Sequence, residues 1–479
     1  MHRSILIVAL ALVFAAFASP YAVADSSSVV IPASRSVLIS DIPHVLQKPD
    51  FCGEACVAAW LNKQGIAIDQ DAVFNRSGVD PVLGRGCYTK ELAAAMRNLG
   101  FNPDKVWYSV QANDASAQLD ALWQRVRADL DAGQASIVCT RFDARPNTTE
   151  HFRLVVGHDA RTDEVVYHDP ALRNGAYLRM KRSEFLDLWP LKYKPDTWTV
   201  VWLRTYLERY RYAKRTQGLT AADFAQHVMR LKKRLPHDGF TVIIQRPFVV
   251  IGDEKPEKVR ERTTHTVKWA VDSLKASFFN KEPDTILDIW LFRDKTSYEK
   301  HATALFGSRP TTPFGYFTPQ HKALVMNIST GGGTLVHEIV HPFVAADFPA
   351  CPSWLNEGLG SLFEQCGPVD GRIEGFTNWR LAGLQQAIRD SRLPTFIALC
   401  STTTDEFYDD PGGTNYGQAR YLCYYLQEHD LLRNYYRQFR ANAATDPTGY
   451  HTLISVLGTD DMAKFQADWE AWVLTLRFP

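Results

Sequence analysis

The sequence predicts an α+β chain of two domains, and three observations carry that expectation. A helical pattern at 52–63 precedes a hairpin-like pair of strands at 152–156 and 164–167. After residue 240, strand-like runs come first and helical patterns follow, the order of a mixed sheet covered by helices. Between the two lies a charge-rich stretch with helical spacing. The boundaries read as 40–204 for the first domain, 205–240 for a helical linker and 241–479 for the second domain, with 1–24 standing apart.

Residues 1–24 have the pattern of a signal peptide. Arg3 is the basic start, 5–18 the apolar stretch, and Ala22-Val23-Ala24 a small-residue cleavage site ahead of Asp25. The apolar run is shorter than the roughly 20 residues that a membrane span needs. The expectation is an exported product, periplasmic or secreted, without stable membrane insertion after cleavage; an uncleaved anchor is the competing reading. Lysine plus arginine and aspartate plus glutamate each number 53, so the formal net charge is zero and nothing argues for nucleic acid. Hydrophobic residues make up 46% of the chain, enough for full-sized cores. The oligomeric state is not readable from the sequence.

In the first domain, Pro49 and Asp50 end an extended approach to the 52–63 helix, which Gly65 closes. Cys52 therefore stands at a helix N-terminus, where the macrodipole favours the thiolate. Gln47 lies close enough upstream to donate its amide to a developing oxyanion. Folding the hairpin about the turn that carries Asp159 and Asp163 brings His151 close to Asp169. Side chains alternate along each strand, so both project to one face and His168 to the other, while His158 sits near the turn. Cys52, His151 and Asp169 are thus candidates for nucleophile, base and orienting group. The competing reading makes Cys52 half of a disulfide, with Cys87 as partner.

These pieces (Gln47, Cys52-Gly53, His151-Phe152 and Asp169-Pro170) resemble the papain-like cysteine peptidases that remove double-glycine leaders from bacteriocins. The resemblance implies a papain-like fold over roughly 40–203, with Gln47 serving the oxyanion, Cys52 attacking, His151 as base and Asp169 as orienter. Such peptidases are usually fused to ABC transporters. This chain shows neither a further apolar span nor a Walker A motif, so the leader-peptide substrate does not carry over.

Eight cysteines in an exported chain invite disulfides. Cys351 and Cys366 stand at opposite ends of a predicted helix about 18 Å long, too far for Cα atoms that must come within about 7 Å. Cys56–Cys87 and Cys400–Cys423 remain permitted by spacing.

The linker's basic residues read as a solvated helix face. Beyond it, 240–253 reads as strands, 256–278 as a helix, 286–292 as a strand and 323–328 as an edge strand. Gly331, Gly332 and Gly333 then lead to Thr334, the expected N-cap of a helix carrying HEIVH at 337–341. Positions i and i+4 share one helical face, so His337 and His341 can aim at one ion, with Glu338 reaching a bound water. A second helix, opened by Pro352, carries Glu357 in WLNEGLGSLFE, among apolar positions where an unpaired carboxylate is costly. Two histidines and a glutamate complete the three protein ligands of a catalytic Zn2+ site, which keeps a fourth position open. The bland alternative, two hydrogen-bonded histidines on a helix, leaves Glu357 unexplained.

Strand, active-site helix and N-E-G helix resemble the gluzincin zinc metallopeptidases, in general layout from about residue 248 onward and specifically at HEIVH and Glu357. The resemblance implies His337, His341 and Glu357 as zinc ligands, Glu338 as general base and Tyr416 as the tyrosine that steadies the oxyanion. Core packing is the competing role for Tyr416. Many gluzincins place an aspartate four residues after the third ligand, whereas this chain has Ser361; Glu364 is the candidate to brace a ligand instead. The functional expectation is an exported peptidase acting on a peptide or protein substrate. Its rivals are a chain in which only the cysteine domain is catalytic, and one whose N-terminal domain binds peptide or cell-wall fragments without cutting.

Overall fold

The computed structural model describes residues 35–211 and 218–478. The segment read as a signal peptide lies outside the described residues. No helix among the described residues is long and apolar enough to cross a membrane.

The N-terminal half is built on a seven-stranded antiparallel sheet. Its strands are β1 (Val37–Leu38), β2 (Trp107–Gln111), β3 (Ser136–Arg141), β4 (Glu150–Asp159), β5 (Glu164–His168), β6 (Leu178–Lys181) and β7 (Thr197–Arg204), in the order β2-β7-β3-β4-β5-β6 with β1 also on β4. Alternation along β4 sorts two cores. Phe152, Leu154 and Val156 pack with the helix α1 (Cys52–Lys63), whereas Val155 joins Trp123 and Val126 of α2 (Ala115–Asp131) on the other face. The register pairs Leu154 with His168, and the irregularity in the hairpin lies between Val155 and Gly157. Between that irregularity and the Leu154–His168 pair the ladder is regular, and Asp169 follows directly after the strand.

Residues 205–240 differ from the linker that the sequence predicts. Tyr206–Leu207 is a short strand paired with Phe101–Asn102 of the N-terminal half. Among the described residues the helix there is α3 (Ala221–Lys232), opened by a capping box between Thr220 and Asp223. Nor is α3 merely a solvated connector. Ala222 and Ala225 pack in the N-terminal core, while Phe224, Val228 and Leu231 pack in a C-terminal one.

The C-terminal half begins with a mixed five-stranded sheet made of β8 (Thr241–Gln245), β9 (Phe248–Gly252), β10 (Leu287–Phe292), β11 (Gly315–Thr318) and β12 (Ala323–Asn327), in the order β8-β9-β10-β12-β11. The expectation that 323–328 forms the edge strand is overturned: β12 pairs with β10 on one side and β11 on the other, and β11 is the edge. Two short strands, Cys366–Val369 and Arg372–Gly375, pair beyond it, and the rest is helical. One face of the sheet is covered by α4 (Gly333–Asp347), α5 (Ser353–Leu362), α6 (Arg380–Arg389), α7 (Thr414–Glu428) and the helices after them. The other face is covered by α3 and Lys295–Phe306. Thr334 is not the cap of α4; Gly332 holds that position and Thr334 lies in the first turn. All eight cysteines are free, including the Cys56–Cys87 and Cys400–Cys423 pairs that spacing left open.

Candidate active sites

Two glycines set how closely α4 and α5 approach. A Cβ at Gly333 would lie 2.2 Å from the Glu364 carbonyl oxygen, and one at Gly360 would lie 3.1 Å from the His337 ring. Helix and imidazole thus slot against bare backbone. Pro342, inside α4, has no N–H to give the Glu338 carbonyl and lines the cleft beside it.

His337, His341 and Glu357 offer ligand atoms that all lie within 4.8 Å of one another. His337 Nε2 is 3.2 Å from Glu357 Oε2, and His341 Nε2 is 3.8 Å from Glu357 Oε1. Tetrahedral ligands held at about 2.1 Å from zinc stand about 3.4 Å apart, so donor set and spacing both fit that ion. Of the outer nitrogens, His341 Nδ1 is braced 3.0 Å from Asn356 Oδ1, while His337 Nδ1 lies 3.2 Å from Glu364 Oε1, an ion-pair approach that is not aligned as a hydrogen bond.

The electrostatics agree with a site built for positive charge. Burial alone would lower His337, but Glu357 and Glu364 press on it and push it up to about 10. Against the opposing effect of burial, His337, His341 and the Tyr408 hydroxyl hold Glu357 down at about 2. Burial pushes the Glu338 carboxyl above the usual range. Burial and the neighbouring Glu357 push Tyr408 and Tyr416 up, so both remain O–H donors. These residues share a cleft of 1120 Å³ whose other walls include Tyr316 and Phe317 of the edge strand β11.

Sequence reasoning gave roles to His337, Glu338, His341, Glu357 and Tyr416, and all five line this cleft. It missed Tyr408, whose hydroxyl donates to Glu357 Oε1 at 2.6 Å. Tyr408 ends a five-residue helix in a stretch with no motif, so no local signal marks it. Asn356 was visible inside W-L-N-E-G but carried no assigned task.

At the N-terminal site, His151 Nε2 lies 2.7 Å from Asp169 Oδ1, and Arg153 Nε donates to Asp169 Oδ2 at 3.1 Å. The Gln47 backbone N–H donates to the Pro170 carbonyl at 2.8 Å, which fixes that residue beside Asp169, and its side-chain oxygen is buried without a partner. Cys52 opens α1, and the backbone N–H of Phe152, next after His151, faces its sulfur. The expectation of a thiolate favoured by the helix dipole is overturned. Burial pushes the Cys52 thiol up to about 12, Glu54 and Asp50 add to the rise, and the Phe152 N–H offsets only part. His168 packs on the opposite face against Tyr177.

Residues 39–195 match the model of the Peptidase_C39 like family. The N-terminal half thus carries a C39-peptidase-like domain, of the cysteine-peptidase type. Among solved structures, the peptidase domain of Streptococcus ComA, described as a bi-functional ABC transporter involved in a quorum-sensing pathway, is 15% identical and has a TM-score of 0.23. That match covers 35% of this chain and 99% of the other, a likeness too slight to bear on fold or function. No curated protein matches the chain.

Proposed function

We propose that this chain is an exported two-domain hydrolase whose C-terminal half cleaves peptide bonds with a zinc-activated water, fused to a cysteine-peptidase half. The observation that carries the first part is the convergence of His337, His341 and Glu357 beside Glu338 in one large cleft. The mixed sheet followed by α4 and the N-E-G helix α5 supports the resemblance to gluzincin metallopeptidases.

Zinc, if held by His337, His341 and Glu357, would supply a Lewis acid and an acidified bound water. Glu338 would be the group to take a proton from that water and return it to the leaving amine, and a carboxyl raised by burial suits both directions. The Tyr408 hydroxyl is committed to Glu357, and Tyr416, in the same cleft and also facing Glu357, is the O–H donor assigned to the oxyanion. As an edge strand, β11 presents free backbone groups along the cleft, to which an extended peptide adds as a further strand. In the N-terminal half the resting thiol is protonated, so His151 must take its proton as attack begins. Asp169 fixes the imidazole, Arg153 fixes Asp169, and Gln47 serves the oxyanion. That protonated thiol also favours a second reading of this half, a peptide-binding module that does not cut.

Glu338→Gln keeps the shape and removes the base. Zinc is retained, while thiol-blocker-resistant peptide hydrolysis falls by about 10²–10⁴-fold. Full hydrolysis by the zinc-loaded variant would sink the assignment.

A further inference from the structure

Behind His337 stands a group that no ligand motif includes. Glu364 Oε1 lies 3.2 Å from His337 Nδ1, and the first residue of α6, Arg380, grips that carboxylate with both arms. Nη2 reaches Oε1 at 3.0 Å and Nε reaches Oε2 at 3.2 Å, while Asn378 Nδ2 donates to Oε2 at 3.3 Å. Glu364 is nearly buried, with 7% of its side chain exposed, so its charge depends on these donors. The same guanidinium has its central carbon 5.0 Å from the centroid of the Tyr416 ring. One planar cation therefore holds both the carboxylate behind a metal-ligand histidine and the ring of the cleft tyrosine. The neighbouring Arg420 is occupied elsewhere: its Nε donates to the Ser361 carbonyl at 2.9 Å, at the end of α5.

We propose that Arg380 is a positioning residue that orients His337 through Glu364 and Tyr416 through its ring face, and so couples metal affinity to turnover. The inference rests on the zinc-peptidase reading above. Arginine suits the task because its fork meets both carboxylate oxygens while its face lies on an aromatic ring; a lysine ammonium does neither.

The test uses the full-length protein and two measurements: the zinc dissociation constant by competition with a chromophoric chelator, which needs no turnover, and kcat and KM for one peptide at saturating zinc. Arg380→Ala is expected to weaken zinc binding by about 10–100-fold. With zinc saturating, it should lower kcat about tenfold or more with KM unchanged. The kcat loss should shrink to within about twofold when Arg380→Ala is introduced into Tyr416→Phe, because the tyrosine it positions is already disarmed. Arg380→Lys should recover part of the zinc affinity and none of kcat. If Arg380→Ala does not fold, Arg380→Gln carries the same comparison. Loss of only one of the two properties, loss of neither, or an undiminished kcat effect in the Tyr416→Phe background would each overturn the coupling. Wild-type protein that binds no zinc fails the underlying reading instead, and shows it before any variant is made.

Discussion

Tyr408 donates to a carboxylate oxygen that is nearly buried and has His341 Nε2 3.8 Å away, so its hydroxyl steadies one of the proposed ligands. Removing it in Tyr408→Phe leaves Glu357 Oε1 short of a donor and free to turn. Loss of such an outer brace typically costs about 10–100-fold in metal affinity. A chelator competition that gives wild-type affinity for Tyr408→Phe would remove Tyr408 from the account. At this scale the sequence was informative where chemistry needs a fixed spacing. His337 and His341 share one helical face, and Glu338 flanks it, because of their numbers alone. Tyr408, from the 404–408 helix, and Asn378 and Arg380, around the start of α6, reach the ligand-bearing helices from separate elements, and only tertiary packing decides that they meet.

Edge and interior strands look alike in a short apolar run, which is why the sequence placed the edge at 323–328. The true edge, β11, is a four-residue segment between Pro313 and Pro319 that reads as turn. Its pairing with β12 is antiparallel, so of two adjacent residues one points its N–H into the ladder and the other points it outward. Tyr316→Pro and Phe317→Pro should therefore differ. One should raise KM for peptides several-fold while the protein keeps its melting temperature; the other should lose a ladder bond and melt earlier. If neither variant changes KM, substrate does not add to β11. The helix α1 teaches a second lesson: its start at Cys52 follows from the sequence, but the dipole's pull on the thiol is outweighed by burial and by Glu54 and Asp50. With the thiol held at about 12, the thiolate fraction is small at neutral pH, and rises about tenfold per pH unit up to the pKa. Iodoacetamide labelling of Cys52 should accordingly be slow at pH 7 and climb steadily through pH 9–10. Fast, pH-independent labelling from pH 6 upward would show a preformed thiolate and restore the dipole argument.

Across the whole molecule, α3 is the piece that sequence patterning describes least well. Adjacent residues on it face different partners: Gln226 Nε2 donates to the Pro49 carbonyl, in the segment that leads to Cys52, and His227 Nε2 lies 2.6 Å from Asp288 of β10. The apolar spacing of Phe224, Val228 and Leu231 marks a helix, but it does not say that a second side, with Ala222 and Ala225, meets a separate core. The strands on either side were legible as short apolar runs bounded by turn signals, and the helices by their apolar spacing. The proposed chemistry requires the C-terminal half to hold one metal ion with three protein ligands. The measurement that bears on it most directly is the zinc content of purified full-length protein, compared with Glu357→Ala, after dialysis against a weak chelator. The account predicts one zinc per chain in the wild type and a clear deficit in the variant. No zinc in the wild type, or equal zinc in both proteins, would contradict it.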